Sequence, residues 1–285
     1  MEARSDSELD RRTLLKGVTA GAVGAGVATA MTVEAPEAAA QDKGAVRDPN
    51  LHTEAIKFKS GEDMISGFVA RPRAAGKYGT VILIPDIFGM TDYARETAAQ
   101  IAQAGLACLV VDFYTRAGQP PADFAALREF VPKNAPDRQI VGDGLAGVAY
   151  MKKQSFTNGK YGVTGFCMGG RITLLLAASS PDVVAASPYY GPVRAANPVQ
   201  MSAIEMTDKI RGAVQGHYGA TDMNPKPDDV RAFYEKLKET NPHGEYFIYQ
   251  GAGHAFHSYS RPSFNAEAAA TAWGRTLAFF QKHLK

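Results

Sequence analysis

The stretch Lys160-Tyr161-Gly162-Val163-Thr164-Gly165-Phe166-Cys167-Met168-Gly169-Gly170-Arg171-Ile172-Thr173-Leu174-Leu175-Leu176 decides the architecture. Its first seven residues read as a strand and Ile172–Ser179 as a helix, joined by a glycine-rich turn with a single reactive side chain at its apex. A residue on so sharp a strand-to-helix turn has crowded backbone, which glycines two before and two after it relieve. The turn lifts Cys167 off the sheet. It also sets the following amides, including that of Met168, at a helix N-terminus, where the dipole favours negative charge. The bland alternative is a glycine turn around a structural thiol.

Working outward, other segments alternate between the two periods. Residues 52–59 and 63–71 alternate apolar and polar about Ser60-Gly61-Glu62-Asp63, an antiparallel hairpin. Thr80–Pro85 and Leu106–Phe113 are apolar runs expected of strands buried on both faces. Helical spacing covers 91–104, a short piece around 122–131, and 137–153. Further strands are expected at Val183–Tyr190, Ile210–Tyr218 and Glu245–Tyr249, with helices over 227–239 and 264–284. Strands alternating with helices after one hairpin predict an α/β fold, a mostly parallel, doubly wound sheet with helices on both faces in a single domain over 52–285. Catalytic groups in such sheets sit at the carboxyl ends of strands.

A nucleophile needs a base. His254, in Gly251-Ala252-Gly253-His254-Ala255-Phe256, follows an expected strand and is the candidate. An acid between them in the chain would orient the imidazole. Asp222, after the strand ending near Tyr218, meets that requirement. Asp228 and Asp229 compete but read as the solvated start of a helix. His257 raises the possibility of a metal pair with His254, but no third ligand is evident, and no metal or organic cofactor is expected. Pro85-Asp86-Ile87-Phe88-Gly89 follows an early buried strand. It is assigned the second oxyanion amide, at Ile87, to act with Met168; the alternative is an ordinary turn with a capping Asp.

These segments together resemble the dienelactone hydrolase (carboxymethylenebutenolidase) family of the α/β-hydrolase superfamily. The resemblance rests on Asp86-Ile87-Phe88-Gly89, Gly165-Phe166-Cys167-Met168-Gly169-Gly170, Tyr189-Tyr190-Gly191, Gly219-Ala220-Thr221-Asp222 and Gly251–Phe256. The ending from Ala268 through Trp273 to Phe279-Phe280 adds to it, and the likeness covers roughly residues 52–284. It implies a Cys167–Asp222–His254 triad, with Asp86 as a thiol-positioning acid where better-known members carry Glu. The family's dienelactone enzymes also bind the substrate carboxylate with two arginines. One falls here on Ser258; the other falls in the 122–131 helix, where Arg128 is the only Arg. Arg116 and Arg261 are possible substitutes. The resemblance implies hydrolysis of a lactone or carboxylic ester. A simple carboxylesterase, a thioesterase and a non-catalytic envelope binding protein are the alternatives.

The chain has 285 residues, 45% hydrophobic and 21% charged, with a formal net charge of +2. No basic or acidic block points to nucleic acid. Two cysteines make no disulfide framework. Cys108 lies in an apolar run and reads as a core thiol; a Cys108–Cys167 bridge, left open by the sequence, would block Cys167. At the start, Asp10-Arg11-Arg12-Thr13-Leu14-Leu15-Lys16 precedes a Gly/Ala-rich stretch over 17–33 and then Ala38-Ala39-Ala40. That pattern is similar to a twin-arginine export signal over 1–40, with a linker over 41–51. It predicts recognition by the twin-arginine machinery and a periplasmic or otherwise exported protein without a stable membrane span. The alternatives are a disordered tail with a chance Arg pair, or an uncleaved anchor. Loss of residues 1–40 would remove 4 of 31 basic and 6 of 29 acidic residues and leave a net charge of +4.

Overall fold

A computed structural model describes residues 48–285; the export signal expected over 1–40 and most of the linker expected over 41–51 lie outside the described residues. Strands β1 (Leu51–Ser60) and β2 (Asp63–Pro72) form the expected hairpin, with Ser60 opposite Asp63 and Gly61 at φ 59° in the two-residue turn. Six more strands follow: β3 (Tyr78–Ile84), β4 (Ala107–Val111), β5 (Thr157–Phe166), β6 (Val183–Tyr189), β7 (Ala213–Gly219) and β8 (Gly244–Tyr249). The sheet order is β1-β2-β4-β3-β5-β6-β7-β8. β2 runs antiparallel to β4, and every pair from β4 to β8 is parallel.

The apolar runs divide their side chains between two layers, as a period of two requires. Ile82 and Ile84 of β3, with Leu109 and Val111 of β4, face one core. Val81 and Leu83, with Cys108 and Val110, face the other. Helices α2 (Phe124–Asn134), α3 (Asp137–Met151), α4 (Met168–Ser179) and α5 (Pro227–Lys238) cover the first face through Leu127, Val148, Leu175 and Phe233. Helices α1 (Asp92–Gln103) and α6 (Ala266–Leu284) cover the second through Ala98, Trp273 and Phe280. The expected doubly wound architecture is therefore present. Both cysteines are free, so the bridge left open by the sequence is not formed. Burial in the middle of β4 pushes the Cys108 thiol far above its usual range.

Three boundaries differ from expectation for local reasons. Helix α2 starts at Phe124 because the Asp123 side chain accepts from the Ala126 amide at 2.8 Å and caps it there. The strand expected from Ile210 starts at Ala213 because a 3-10 turn, Ala203–Lys209, ends with the Ile210 amide donating to the Thr207 carbonyl. The helix expected from 264 starts at Ala266, capped by Asn265, whose side chain accepts from the Ala268 amide. No helix among the described residues is long and apolar enough to cross a membrane.

Candidate active site

The carboxyl ends of β3, β5, β7 and β8 carry the residues singled out from the sequence. Cys167 sits between β5 and α4 at φ 55°, ψ −116°, a strained conformation for a side-chain-bearing residue. Its amide donates to the Tyr189 carbonyl at 3.1 Å, and its carbonyl accepts from the Arg171 amide at 3.2 Å. The flanking glycines are needed for close approach. A Cβ on Gly165 would lie 2.4 Å from the Gly169 carbonyl oxygen, and one on Gly169 would lie 2.1 Å from that of Ile84. The turn is thus pressed against β3, and the side chain of Cys167 is left half-buried.

The loops after β7 and β8 are tied together. The Thr221 amide and hydroxyl both donate to the Ala252 carbonyl at 3.0 Å, and the Ala220 amide donates to that of Tyr249. This brings Asp222 against His254. Asp222 Oδ1 accepts from the Asn224 amide at 2.8 Å, and Oδ2 is 2.9 Å from His254 Nδ1. An ionised carboxylate only accepts, so Nδ1 carries the hydrogen and Nε2 is left for the thiol side. Burial opposes charge on the imidazole, but hydrogen bonds to Asp222 and Cys167, with their negative charges, outweigh it. The His254 pKa is raised from 6.5 to about 10. A charged imidazole is the state this favours at neutral pH. The competing acids are elsewhere: Asp228 pairs with Arg231 and Asp229 with Arg194, at the start of α5.

After β3, Asp86 Oδ1 accepts from the Phe88 amide at 2.9 Å, and the Gly89 amide closes a turn on the Asp86 carbonyl. Tyr114 donates its hydroxyl to the Ile87 carbonyl at 2.6 Å. The Ile87 amide has no acceptor among the described residues. That of Met168 opens α4, where first-turn amides have no partner within the helix. Burial pushes the Asp86 carboxyl up, while the Phe88 amide, Arg261 and His254 pull it back. No hydrogen bond joins Asp86 to Cys167 among the described residues.

The arginine candidates separate. The Arg261 guanidinium lies 3.8 Å over the Phe88 ring, whose other stacking partner is the exposed Phe124, 5.9 Å between centroids. Arg128 is exposed on α2, and no contact brings it to His254 or Cys167 among the described residues. Arg116 is committed elsewhere, to Asp63, Asp143 and the Ser60 carbonyl. Ser258 is buried and shares a hydrogen bond with Ser260.

Sequence reasoning missed a group of rings beside this arrangement. Tyr190, at φ 36°, sets its ring edge-on to His254 at 5.2 Å. His257 is not turned toward a partner shared with His254; its Nδ1 is 2.6 Å from the Tyr93 hydroxyl. Tyr190 carried a signal, its place in the Tyr189-Tyr190-Gly191 motif. Tyr93, from a surface-patterned helix, carried none.

The model of the Dienelactone hydrolase family matches residues 65–284. A Synechocystis protein provisionally named a carboxymethylenebutenolidase is 31% identical over 252 residues, spanning 83% of this chain and 99% of the relative. A Bradyrhizobium protein provisionally named a 2-oxo-3-(5-oxofuran-2-ylidene)propanoate lactonase is 28% identical over 229 residues, 79% of this chain and 92% of the relative. Among solved structures, a provisionally named dienelactone hydrolase from Klebsiella pneumoniae superposes with a TM-score of 0.77 at 28% identity. It spans 81% of this chain and 99% of that one.

Proposed function

The chain belongs to the dienelactone hydrolase family and is a hydrolase, and from that premise we propose that it cleaves a lactone or carboxylic ester with Cys167 as nucleophile, His254 as acid and base, and Asp222 as the acid that orients it. The observation that carries the reading is the 2.9 Å contact between His254 Nδ1 and Asp222 Oδ2, with Cys167 among the groups that raise the His254 pKa.

The chemistry follows from the charges. The Cys167 thiolate attacks the carbonyl carbon, and the carbonyl electron pair moves onto oxygen, held by the Ile87 and Met168 amides. As the tetrahedral centre collapses, the C–O bond breaks and the His254 imidazolium gives its proton to the departing alkoxide. Acylation removes the thiolate charge that helped hold the imidazolium, so His254 becomes a base able to take a proton from water. Hydroxide adds to the thioester, the C–S bond breaks, and the acid leaves with the thiolate restored. Asp86 is assigned the role of positioning the thiol.

On the substrate side, Arg261 over Phe88 favours an anionic, flat acyl group; the name of the Bradyrhizobium relative describes a conjugated lactone bearing a carboxylate. Arg128 remains the other candidate contact. Ser258, where a carboxylate-binding arginine stands in the dienelactone enzymes, favours a second reading, an esterase or thioesterase for other acyl groups. Turnover of a panel of anionic lactones, neutral aryl esters and acyl thioesters separates these. Cys167→Ala is expected to abolish turnover with the fold intact; retained esterase activity would refute the nucleophile.

The Arg11-Arg12 pair and the Ala38–Ala40 ending support export through the twin-arginine route, which carries folded proteins into the periplasm. Loss of periplasmic protein on replacing both arginines by lysine tests this. Unchanged fractionation would overturn it.

A further inference from the structure

His217 has no part in the chemistry above, yet hydrogen bonds run from it to the backbone that holds all three reacting residues. It is fully buried in β7, and both ring nitrogens are engaged. Nδ1 is 2.9 Å from the Tyr249 hydroxyl, at the end of β8, and Nε2 is 2.9 Å from the Thr276 hydroxyl, on α6. The Thr276 hydroxyl continues to that of Tyr189, the last residue of β6, at 2.7 Å and to that of Ser187 at 3.0 Å. Arg275 donates to the Tyr249 hydroxyl at 3.2 Å. The two tyrosines reach the site through their carbonyls. That of Tyr189 accepts from the Cys167 amide at 3.1 Å. That of Tyr249 accepts from the amides of Ala220, two residues before Asp222, at 2.9 Å and Ala252, two before His254, at 3.3 Å. The β6–β7 ladder pairs Ala185 with Ala213 and Ala186 with Val214, then resumes at Tyr189 with His217, beyond Pro188, which has no amide hydrogen. The side-chain bonds cross that gap.

We propose that His217 is a positioning residue for the reaction: its imidazole bridges Tyr249 to Thr276 and Tyr189, and so fixes the Cys167 turn relative to the loops that carry Asp222 and His254. The inference rests on the triad reading and adds to it the buried link that sets the spacing of the three residues. The direction of the hydrogen bonds follows from counting hydrogens. Burial, with His257 and Arg275 adding to it, holds the His217 pKa well below 6.5, so the ring is neutral with one hydrogen. The Tyr249 oxygen accepts from Arg275, so its own hydrogen goes to Nδ1, and the hydrogen on Nε2 is donated to Thr276. Thr276 then accepts from His217 and Tyr189 and gives its hydrogen to Ser187. Each bond in the bridge has one direction, so removing one hydroxyl cuts it.

The test uses Thr276→Val and Tyr249→Phe, each of which cuts one arm with little change of shape, their double variant, and His217→Gln beside His217→Leu. Two readouts are taken well below each variant's melting midpoint: steady-state hydrolysis of a neutral aryl ester, and the pH dependence of Cys167 alkylation by iodoacetamide. Each single cut is expected to lower kcat about tenfold with KM within about twofold, because misaligned groups lose rate rather than binding. The alkylation profile should shift with it. If His217 joins the two arms, the double variant loses less than the product of the single losses. His217→Gln, which keeps a donor for Thr276, should retain more activity than His217→Leu. Lowered melts with kcat and the alkylation profile unchanged would make the network structural only and overturn the inference, leaving the triad standing. Losses in the double variant that multiply in full would overturn it as well, since the arms would then act separately. Unreactive Cys167 in the wild-type protein would instead overturn the triad and take the inference with it.

Discussion

His254 Nδ1 lies 2.9 Å from Asp222 Oδ2, and the two side chains are unequally exposed: 37% for the imidazole, 1% for the carboxylate. In the proposed triad the acid is thus sealed behind the base, where it can orient the ring without meeting substrate. Asp222→Asn should keep the fold, since the amide oxygen can still accept from the Asn224 amide. Its NH2 group would face Nδ1 and favour the tautomer with hydrogen on Nε2, which can no longer take the proton of the thiol. The expected loss is about a thousandfold or more in kcat. Steady-state kinetics beside a thermal melt checks it; a loss under tenfold would remove Asp222 from the proposed triad.

The charge on His254 has consequences for pH. Its pKa rises from 6.5 to about 10, burial being outweighed by Asp222 and Cys167. Below 6.5 the imidazole is protonated folded and unfolded, and its full contribution to stability is present. Between 6.5 and 10 the folded state holds the proton more tightly, so that contribution falls as pH rises and is gone above 10. The free-enzyme kcat/KM should hold up through neutrality and fall on an alkaline limb near 10. In Cys167→Ala the His254 imidazole resonance should titrate at lower pH than in the wild type, because one hydrogen bond and one negative charge are gone. An unchanged midpoint would show that the two side chains do not interact.

The sheet was legible where one residue's neighbours in sequence are also its neighbours in space. Val81 to Ile84 and Leu106 to Val111 announced strands buried on both sides, and Cys167 announced its turn through Gly165 and Gly169. Strand order was not legible, because placing β4 between β2 and β3 depends on pairings such as Phe68 with Val110, far apart in the chain. The 3-10 turn at Ala203–Lys209 is too short to show a period. The short helix expected around 122–131 runs on as α2 to Asn134, with Pro132 inside its last turn. At the site, order in the chain singled out Cys167, Asp222 and His254. The rings of Tyr93, Tyr190 and His257 meet only through folding, so no spacing announced them.

Glycine at 169 is required by backbone contact, whereas glycine at 142 is not. An added Cβ at Gly169 would lie 2.1 Å from the Ile84 carbonyl oxygen and 2.4 Å from that of Pro85, neither of which can rotate away. Gly169→Ala should destabilise the protein by roughly 3 kcal/mol or more. Gly142, exposed within α3, has nothing within 4 Å of its added Cβ, so Gly142→Ala should stabilise by up to about 1 kcal/mol through helix propensity. Urea unfolding of the two variants should move in opposite directions.

One turn beyond Cys167, Arg171 makes a buried, two-pronged ion pair with Asp137, 2.7 and 3.1 Å, and Asp137 also accepts from the Met201 amide at 2.8 Å. The side chains are 6% and 4% exposed. The pair binds the start of α4 to the start of α3 and to the loop after β6. Arg171→Met leaves the carboxylate buried without its cation and should cost about 3–5 kcal/mol in urea unfolding. Adding Asp137→Asn should recover part of that loss; a double variant worse than the single would mean that the Met201 contact, not the ion pair, dominates.

Arg261 and Arg128 make opposed predictions about substrate charge. Arg261 is held by Phe88, the second residue after Asp86, and its charge acts on the Asp86 carboxyl, so a substrate carboxylate bound near that loop would lie within its field. Arg128 points its charge into solvent from α2, where screening leaves little for a bound anion. Arg261→Ala should therefore raise KM for an anionic lactone about tenfold, the loss of one charge-assisted contact, with KM for a neutral aryl ester nearly unchanged. Arg128→Ala should change neither. The Asp86 carboxyl should also be raised further once Arg261 is gone, which carbon-13 carboxyl titration can read without substrate. If both esters lose equally in Arg261→Ala, the residue supports Phe88 and the oxyanion loop and does not select charge.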